Sequence, residues 1–163
     1  MAGRNAGAGA EVETRRDPAG PLDMSALTTI VGYPLRRAQL AVFDDFNRRF
    51  AALALSPAQF STLALIGANP GRKQSEIAGA LGIQRPNFVA MMDELERRGL
   101  AERLRTPADR RSRALALTPT GEALVARARR VQAEQETEIE RLIGGTSREL
   151  LIAALTQLTR LAS

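Results

Sequence analysis

The chain of 163 residues has no cysteine and no histidine, and its 23 basic residues include a single lysine, Lys73. Without cysteine there is no disulfide scaffold, no thiol redox sensor and no thiolate nucleophile. Without histidine the commonest general base and the commonest transition-metal ligand are missing too. An enzyme built on this sequence would have to work with carboxylates, hydroxyls, Tyr33 or Lys73, and no spacing pairs these into a catalytic constellation. No catalytic residue, metal ligand or cofactor is therefore expected. No apolar run approaches the roughly 20 residues that span a bilayer, so no membrane partner is expected. The N-terminus lacks the continuous apolar segment of a secretory signal, which places the expected protein in the cytoplasm.

Hydrophobic residues make up 44% of the chain, enough for a core, and the length suits one domain with extensions. The formal net charge of +5 is carried almost entirely by arginine. Guanidinium forks match phosphates and guanine edges bidentately, so this bias leans toward nucleic acid. Codon usage in high-GC bacteria produces the same composition without any nucleic-acid partner.

Residues 1–22 mix Ala, Gly, Pro and charge without periodicity and read as a disordered tail. Its arginines either have no role or brush DNA. From Thr28 to Leu53, Leu35, Phe43, Phe46, Phe50 and Leu53 recur at helical steps, and Pro34 marks a start or a kink. Ser56-Pro57 opens a second helix with Phe60, Leu63, Ala64 and Ile66 on its buried face, ended by Asn69-Pro70-Gly71. A third helix covers about Gln74 to Leu81, with Ile77, Ala78 and Leu81 inward. After Gly82 a fourth runs from about Arg85 to Arg98, burying Phe88, Met92 and Leu95 before Gly99. Two short strands follow near Leu100–Arg105 and Arg113–Thr118, with Leu100, Leu104, Leu115 and Leu117 expected inward. Thr118-Pro119 starts a long helix to about Ile143, with Leu124, Ala128, Val131, Gln135, Ile139 and Leu142 near one seam. Gly144-Gly145 breaks it, and Thr146 and Glu149 have capping-box spacing for a last helix carrying Leu151, Ala154, Leu155, Leu158 and Leu161.

This order predicts a mainly α fold with a small β-hairpin wing, the winged helix-turn-helix arrangement. The expected divisions are a tail at 1–22, a first helix at 28–53, the DNA-binding domain at 54–118 and C-terminal dimerisation helices at 119–163. A recognition helix presents its N-terminal residues to base edges, and here those are Gln84, Arg85 and Asn87. The same residues are also an ordinary exposed helix start. The hairpin tips the balance: Arg103, Arg105, Arg110, Arg111 and Arg113 fall within eleven residues against one acid, Asp109. Five guanidinium groups on one ribbon repel each other unless an anion neutralises them, and a narrow minor groove attracts inserted arginine. Arg72, Lys73 and Ser75 are expected phosphate contacts.

The stretch Asp109-Arg110-Arg111, five residues, then Leu117-Thr118-Pro119-Thr120-Gly121 resembles the wing signature of the MarR family. Gln74-Ser75-Glu76-Ile77-Ala78 and Leu95-Glu96-Arg97-Arg98-Gly99-Leu100 are similar to that family as well, and the likeness covers about Leu35 to Leu161. The resemblance implies that Asp109 orients the wing, Arg111 enters the minor groove and the fourth helix reads the major groove. It also implies a two-fold homodimer through the terminal helices, reading a pseudo-palindrome in double-stranded DNA. Two departures stand out: Gln84 where Ser or Thr is common, and Ala90 where a polar or basic residue is frequent.

Tyr33 to Gln39 resemble a subset of the family that controls breakdown of aromatic acids, some of whose members answer to aryl-coenzyme A thioesters. Tyr33 is expected in the ligand site, the adjacent Arg36 and Arg37 to meet a carboxylate or the phosphates of coenzyme A, and Phe43, Phe46, Phe60 and Leu63 to line an apolar pocket for a ring. A phenylalanine stripe at helical spacing is more often ordinary core, and an arginine pair is more often simply solvated. The expected function is a regulator, repressor before activator, released from its operator by a small aromatic acid or its thioester. The competing readings are a winged-helix protein-interaction module and a nonspecific chromosomal DNA-binding protein.

Overall fold

A computed structural model describes residues 21–105 and 113–162. Expectations for the tail before residue 21 and for the hairpin tip at 106–112, including Asp109, Arg110 and Arg111, lie outside the described residues.

A single turn, α1 (Ser25–Thr28), precedes α2 (Gly32–Phe50), an element the sequence pattern did not separate. Pro34 lies in the first turn of α2, where a missing N–H costs nothing, so the helix starts just ahead of it. The chain divides into two units inside α2, between Arg37 and Ala38. In the first unit the link between the helices is tied by the Tyr33 N–H on the Ile30 carbonyl, 3.0 Å.

In the second unit α2 ends in a 3₁₀ turn, Ala51–Leu53, and Ala54 takes a left-handed conformation at φ 48°. The reversal leads into α3 (Pro57–Ala68), whose capping box is complete. The Gln59 N–H donates to Ser56 Oγ at 3.2 Å, and the Ser56 N–H donates to Gln59 Oε1 at 3.0 Å. α4 (Gln74–Ala80) and α5 (Arg85–Arg97) form the helix-turn-helix, with Gly82 at φ 63° in the turn. α5 stops in a Schellman motif: the Gly99 N–H donates to the Glu96 carbonyl and the Leu100 N–H to that of Leu95.

Strands β1 (Ala101–Arg105) and β2 (Arg113–Leu117) pair antiparallel, Arg103 opposite Leu115 and Arg105 opposite Arg113. The segment before α4 lies along β2, its Gly71 N–H donating to the Leu115 carbonyl and its Arg72 carbonyl accepting from the Leu115 N–H, both at 2.9 Å. Leu104 is exposed, contrary to the expected alternation. The strand begins only at Ala101, because Leu100 belongs to the helix-stop motif. Period two then puts Ala101 and Arg103 on the core face with Leu115, and Leu104 on the other.

α6 (Pro119–Ile143) is capped by Thr118, whose Oγ1 accepts from the Gly121 N–H at 3.1 Å and donates to the Gly99 carbonyl at 2.6 Å. Its inner face is Gly121, Val125, Ala128 and Gln135, while Leu142, expected on this seam, is exposed. The final α7 (Arg148–Leu158) is capped by Ser147 rather than Thr146. The Thr146 N–H is still engaged with the Ile143 carbonyl, while Ser147 has the extended backbone a cap requires and its Oγ accepts from the Leu150 N–H at 3.4 Å.

The core gathers Phe50, Leu63, Ile66, Phe88, Met92, Leu95 and Leu115, all sealed from solvent. Phe46 stacks on Phe50 with centroids 3.7 Å apart, and Phe60 meets Phe50 edge-on at 5.2 Å. Each such ring contributes about 1.5–3 kcal/mol of burial, so these rings tie the end of α2 to α3. Among the described residues no single helix is long and apolar enough to cross a membrane.

Candidate nucleic-acid interface

α5 buries Phe88, Met92 and Leu95 at steps of four and three, so its opposite side faces out from the core. Gln84 is its N-cap and makes no side-chain capping bond, as its length foretells, and Pro86 sits in the first turn without needing a donor. The first-turn N–H groups and the positive end of the helix dipole therefore stay available to an anion. Around them Gln84, Arg85 and Asn87 are exposed, and among the described residues their side chains make no hydrogen bond or ion pair. Ala90, one turn on, is exposed and offers no polar group.

Arg72, Lys73 and Ser75 are exposed at the start of α4. The Lys73 N–H donates to Glu76 Oε2 at 2.8 Å, half of a capping box. Arg72 reaches Glu76 at 3.3 Å through a guanidinium 63% exposed, a surface pair weak enough to yield to a phosphate. Residues 72, 73, 75, 84, 85 and 87 thus lie at the N-terminal ends of the two helices of the motif.

Arg103 is placed differently from the exposed cation the sequence suggested. Its side chain is 15% exposed and turned onto α4 and α5, ion-paired with Asp93 at 2.7 Å and with Glu96. Its Nε donates to Gln74 Oε1 at 3.0 Å, and the strand's own N–H at Arg103 donates to Glu96 Oε1 at 2.8 Å. Gln74, Val89, Asp93, Glu96 and Arg103 line an open, mostly polar cleft of about 360 Å³.

Of the residues expected around a ligand, Tyr33 is half-buried and Arg36 and Arg37 are exposed in the first unit. In the second unit Phe46 and Leu63 are sealed in the core and Phe60 packs against the stacked rings. Phe43 is 45% exposed. Three groupings escaped the sequence reading. Asp93 and Glu96, three apart on α5, hold Arg103. Arg98 donates to the carbonyls of Ala54 at 2.8 Å and Leu53 at 3.4 Å, joining the end of α5 to the turn after α2. Asp45 accepts from Arg48, Arg49 and the buried Gln135, and the Arg49 hydrogen bond, foremost, holds its carboxyl below the usual range. Only the spacing of Asp93 and Glu96 was visible beforehand, since their partner depends on hairpin register.

Comparison with known proteins places this geometry. Residues 55–112 match the model of the MarR family. The chain is 33% identical over 131 residues to a Thauera aromatica protein assigned as a transcriptional regulatory protein for the hcr operon, covering 80% of this chain and 79% of that one. Among solved structures it is similar to the transcriptional repressor CouR bound to a 23-mer DNA duplex, at 50% identity and a TM-score of 0.79, covering 88% of this chain and all of that one. It is also similar to CouR bound to p-coumaroyl-CoA, at 48% identity and a TM-score of 0.78, covering 86% of this chain and 99% of that one. These relatives are regulators of transcription, not enzymes. The chain belongs to the MarR family of transcriptional regulators, built as a winged helix-turn-helix.

Proposed function

We propose that the protein is a cytoplasmic repressor that grips a pseudo-palindromic operator as a homodimer and releases it when an aryl-coenzyme A thioester binds. The observation that carries this reading is its half-identity, over the full length of CouR, to a repressor solved with both a DNA duplex and p-coumaroyl-CoA. In the reading, Gln84, Arg85 and Asn87 meet base edges, Arg72, Lys73 and Ser75 meet phosphates, and Arg105, Asp109, Arg110, Arg111 and Arg113 form the wing that enters the minor groove. The homodimer is supported by apolar side chains left in solvent on the terminal elements. Leu27, Ile30, Val31 and Leu35 are exposed in the first unit, and Leu142, Leu150, Ile152, Leu155 and Leu158 in the second. A second copy of the chain is the partner that covers such surface symmetrically. The thioester's phosphates are assigned to Arg36 and Arg37, adjacent exposed guanidinium groups. Release follows from unequal affinity of the ligand for the DNA-bound and free arrangements.

The test is an anisotropy titration of a labelled duplex from upstream of the protein's own gene against a scrambled duplex of equal length, across a salt series. Selective binding that weakens steeply with salt supports the reading. Equal binding to both duplexes makes the protein a nonspecific chromosomal factor, and no binding makes it a protein-interaction module.

A further inference from the structure

In this fold two different elements address two grooves, and both must be held at fixed separation for either to read well. In the described structure every side-chain hydrogen bond from β1 to α4 or α5 runs through Arg103. Its guanidinium spans both helices of the motif at once: Gln74 on α4, and Asp93, Glu96 and the Val89 carbonyl, at 3.3 Å, on α5. The backbone of the same residue is fixed too, its N–H on the second oxygen of Glu96. Two carboxylates balance the one cation, so no positive charge is left over for a phosphate. The side chain lies on the core face of β1, opposite Leu115, two residues before Arg105 leads to the tip.

We propose that Arg103 is a positioning residue for DNA recognition: it locks the wing strand to the recognition helix and makes no phosphate contact of its own. The inference rests on the DNA-binding reading above. Its consequence is that Arg103 governs selectivity rather than electrostatic grip. A wing free to shift relative to α5 loses simultaneous fit in both grooves, while the phosphate contacts that give general affinity persist.

The experiment compares wild type, Arg103→Ala and Glu96→Gln on the upstream and scrambled duplexes, each across a salt series. Positioning predicts that both variants lose about tenfold or more in the ratio of upstream to scrambled binding, with the slope of log K against log salt unchanged. A phosphate contact predicts the reverse pattern. Arg103→Ala would then flatten the slope by about 0.9 for each protomer, and Glu96→Gln, by freeing the guanidinium, would tighten binding to both duplexes. That pattern, or unchanged selectivity in both variants, overturns the proposal. A purely structural role would lower both affinities alike through the folded fraction, followed by melting each variant, and equal loss on both duplexes also overturns it. If Arg103→Ala does not fold, Glu96→Gln still separates the two, because they predict opposite signs. Wild type that fails to prefer the upstream duplex sinks the DNA reading itself, a result distinct from any variant effect.

Discussion

Replacing Gly121 with alanine tests the junction between the wing and the long helix. An added Cβ would stand 1.8 Å from the Leu100 carbonyl oxygen and 2.8 Å from its carbon. Ordinary carbon–oxygen contact begins near 3.3 Å, so the first turn of α6 must retreat from Leu100 by about 1.5 Å. Two hydrogen bonds cross that gap: the Thr118 N–H on the Leu100 carbonyl at 3.2 Å, and Thr118 Oγ1–H on the Gly99 carbonyl at 2.6 Å. Losing both costs about 1–3 kcal/mol, and the steric push itself about 1–3 kcal/mol more. Against this, alanine gains about 1 kcal/mol of helix propensity over glycine. The net expectation is a loss of about 1–5 kcal/mol, or roughly 2–20 °C in Tm for a chain of this size. Urea melts followed by circular dichroism, at one fixed protein concentration, read it directly. Gly79 is the control: it lies inside α4 with nothing within 4 Å of a built Cβ. Gly79→Ala should therefore stabilise by about 0.5–1 kcal/mol. A Gly121→Ala protein as stable as wild type would refute the close approach of α6 to Leu100.

Arg111→Ala should weaken DNA binding by tenfold or more, on the order of 1–3 kcal/mol, while sedimentation still shows the dimer; unchanged affinity removes the wing assignment. Replacing Leu155 and Leu158 together by glutamate should yield monomers in sedimentation velocity, since each buried leucine is worth about 1.5–3 kcal/mol; a persisting dimer would show that α7 is not in the interface. Asp45 titrates below its unfolded value because Arg49, foremost, bonds its carboxylate. Its stabilisation is therefore full above the unfolded pKa and is lost as pH falls through the lowered folded one. Asp45→Asn should give a shallower acid limb in urea midpoint against pH, and an acid limb identical to wild type would exclude the coupling.

Much of the fold was legible because local rules and packing agree. Ser56-Pro57 carries its cap and its first turn in adjacent residues, and Gly82 and Gly99 fall where the chain turns left-handed. The resemblance at Leu117-Thr118 and Gly121 has a physical basis: Thr118 both caps α6 and ties it to Gly99, and Gly121 leaves room for the Leu100 carbonyl. What escaped depended on register or on distant partners. One residue's difference in where β1 starts sends Leu104 outward and Arg103 inward. A sequence shows five wing arginines as one charge cluster, and only the fold brings Arg103 against Asp93 and Glu96. Phe46 and Leu63 could serve a pocket or a core by spacing alone, and their burial beside Phe50 follows from how α2 meets α3. Thr146 and Ser147 both carry a hydroxyl, and the choice of cap between them rests on backbone angles that composition does not reveal.

The most direct measurement starts from the preformed complex of the protein with its upstream duplex and titrates in p-coumaroyl-CoA, with free p-coumarate and coenzyme A as controls. The thioester should return the anisotropy to that of free duplex at concentrations where coenzyme A alone does nothing. A selective complex that saturating thioester leaves intact would contradict ligand release, and the absence of any selective complex would contradict the regulator itself.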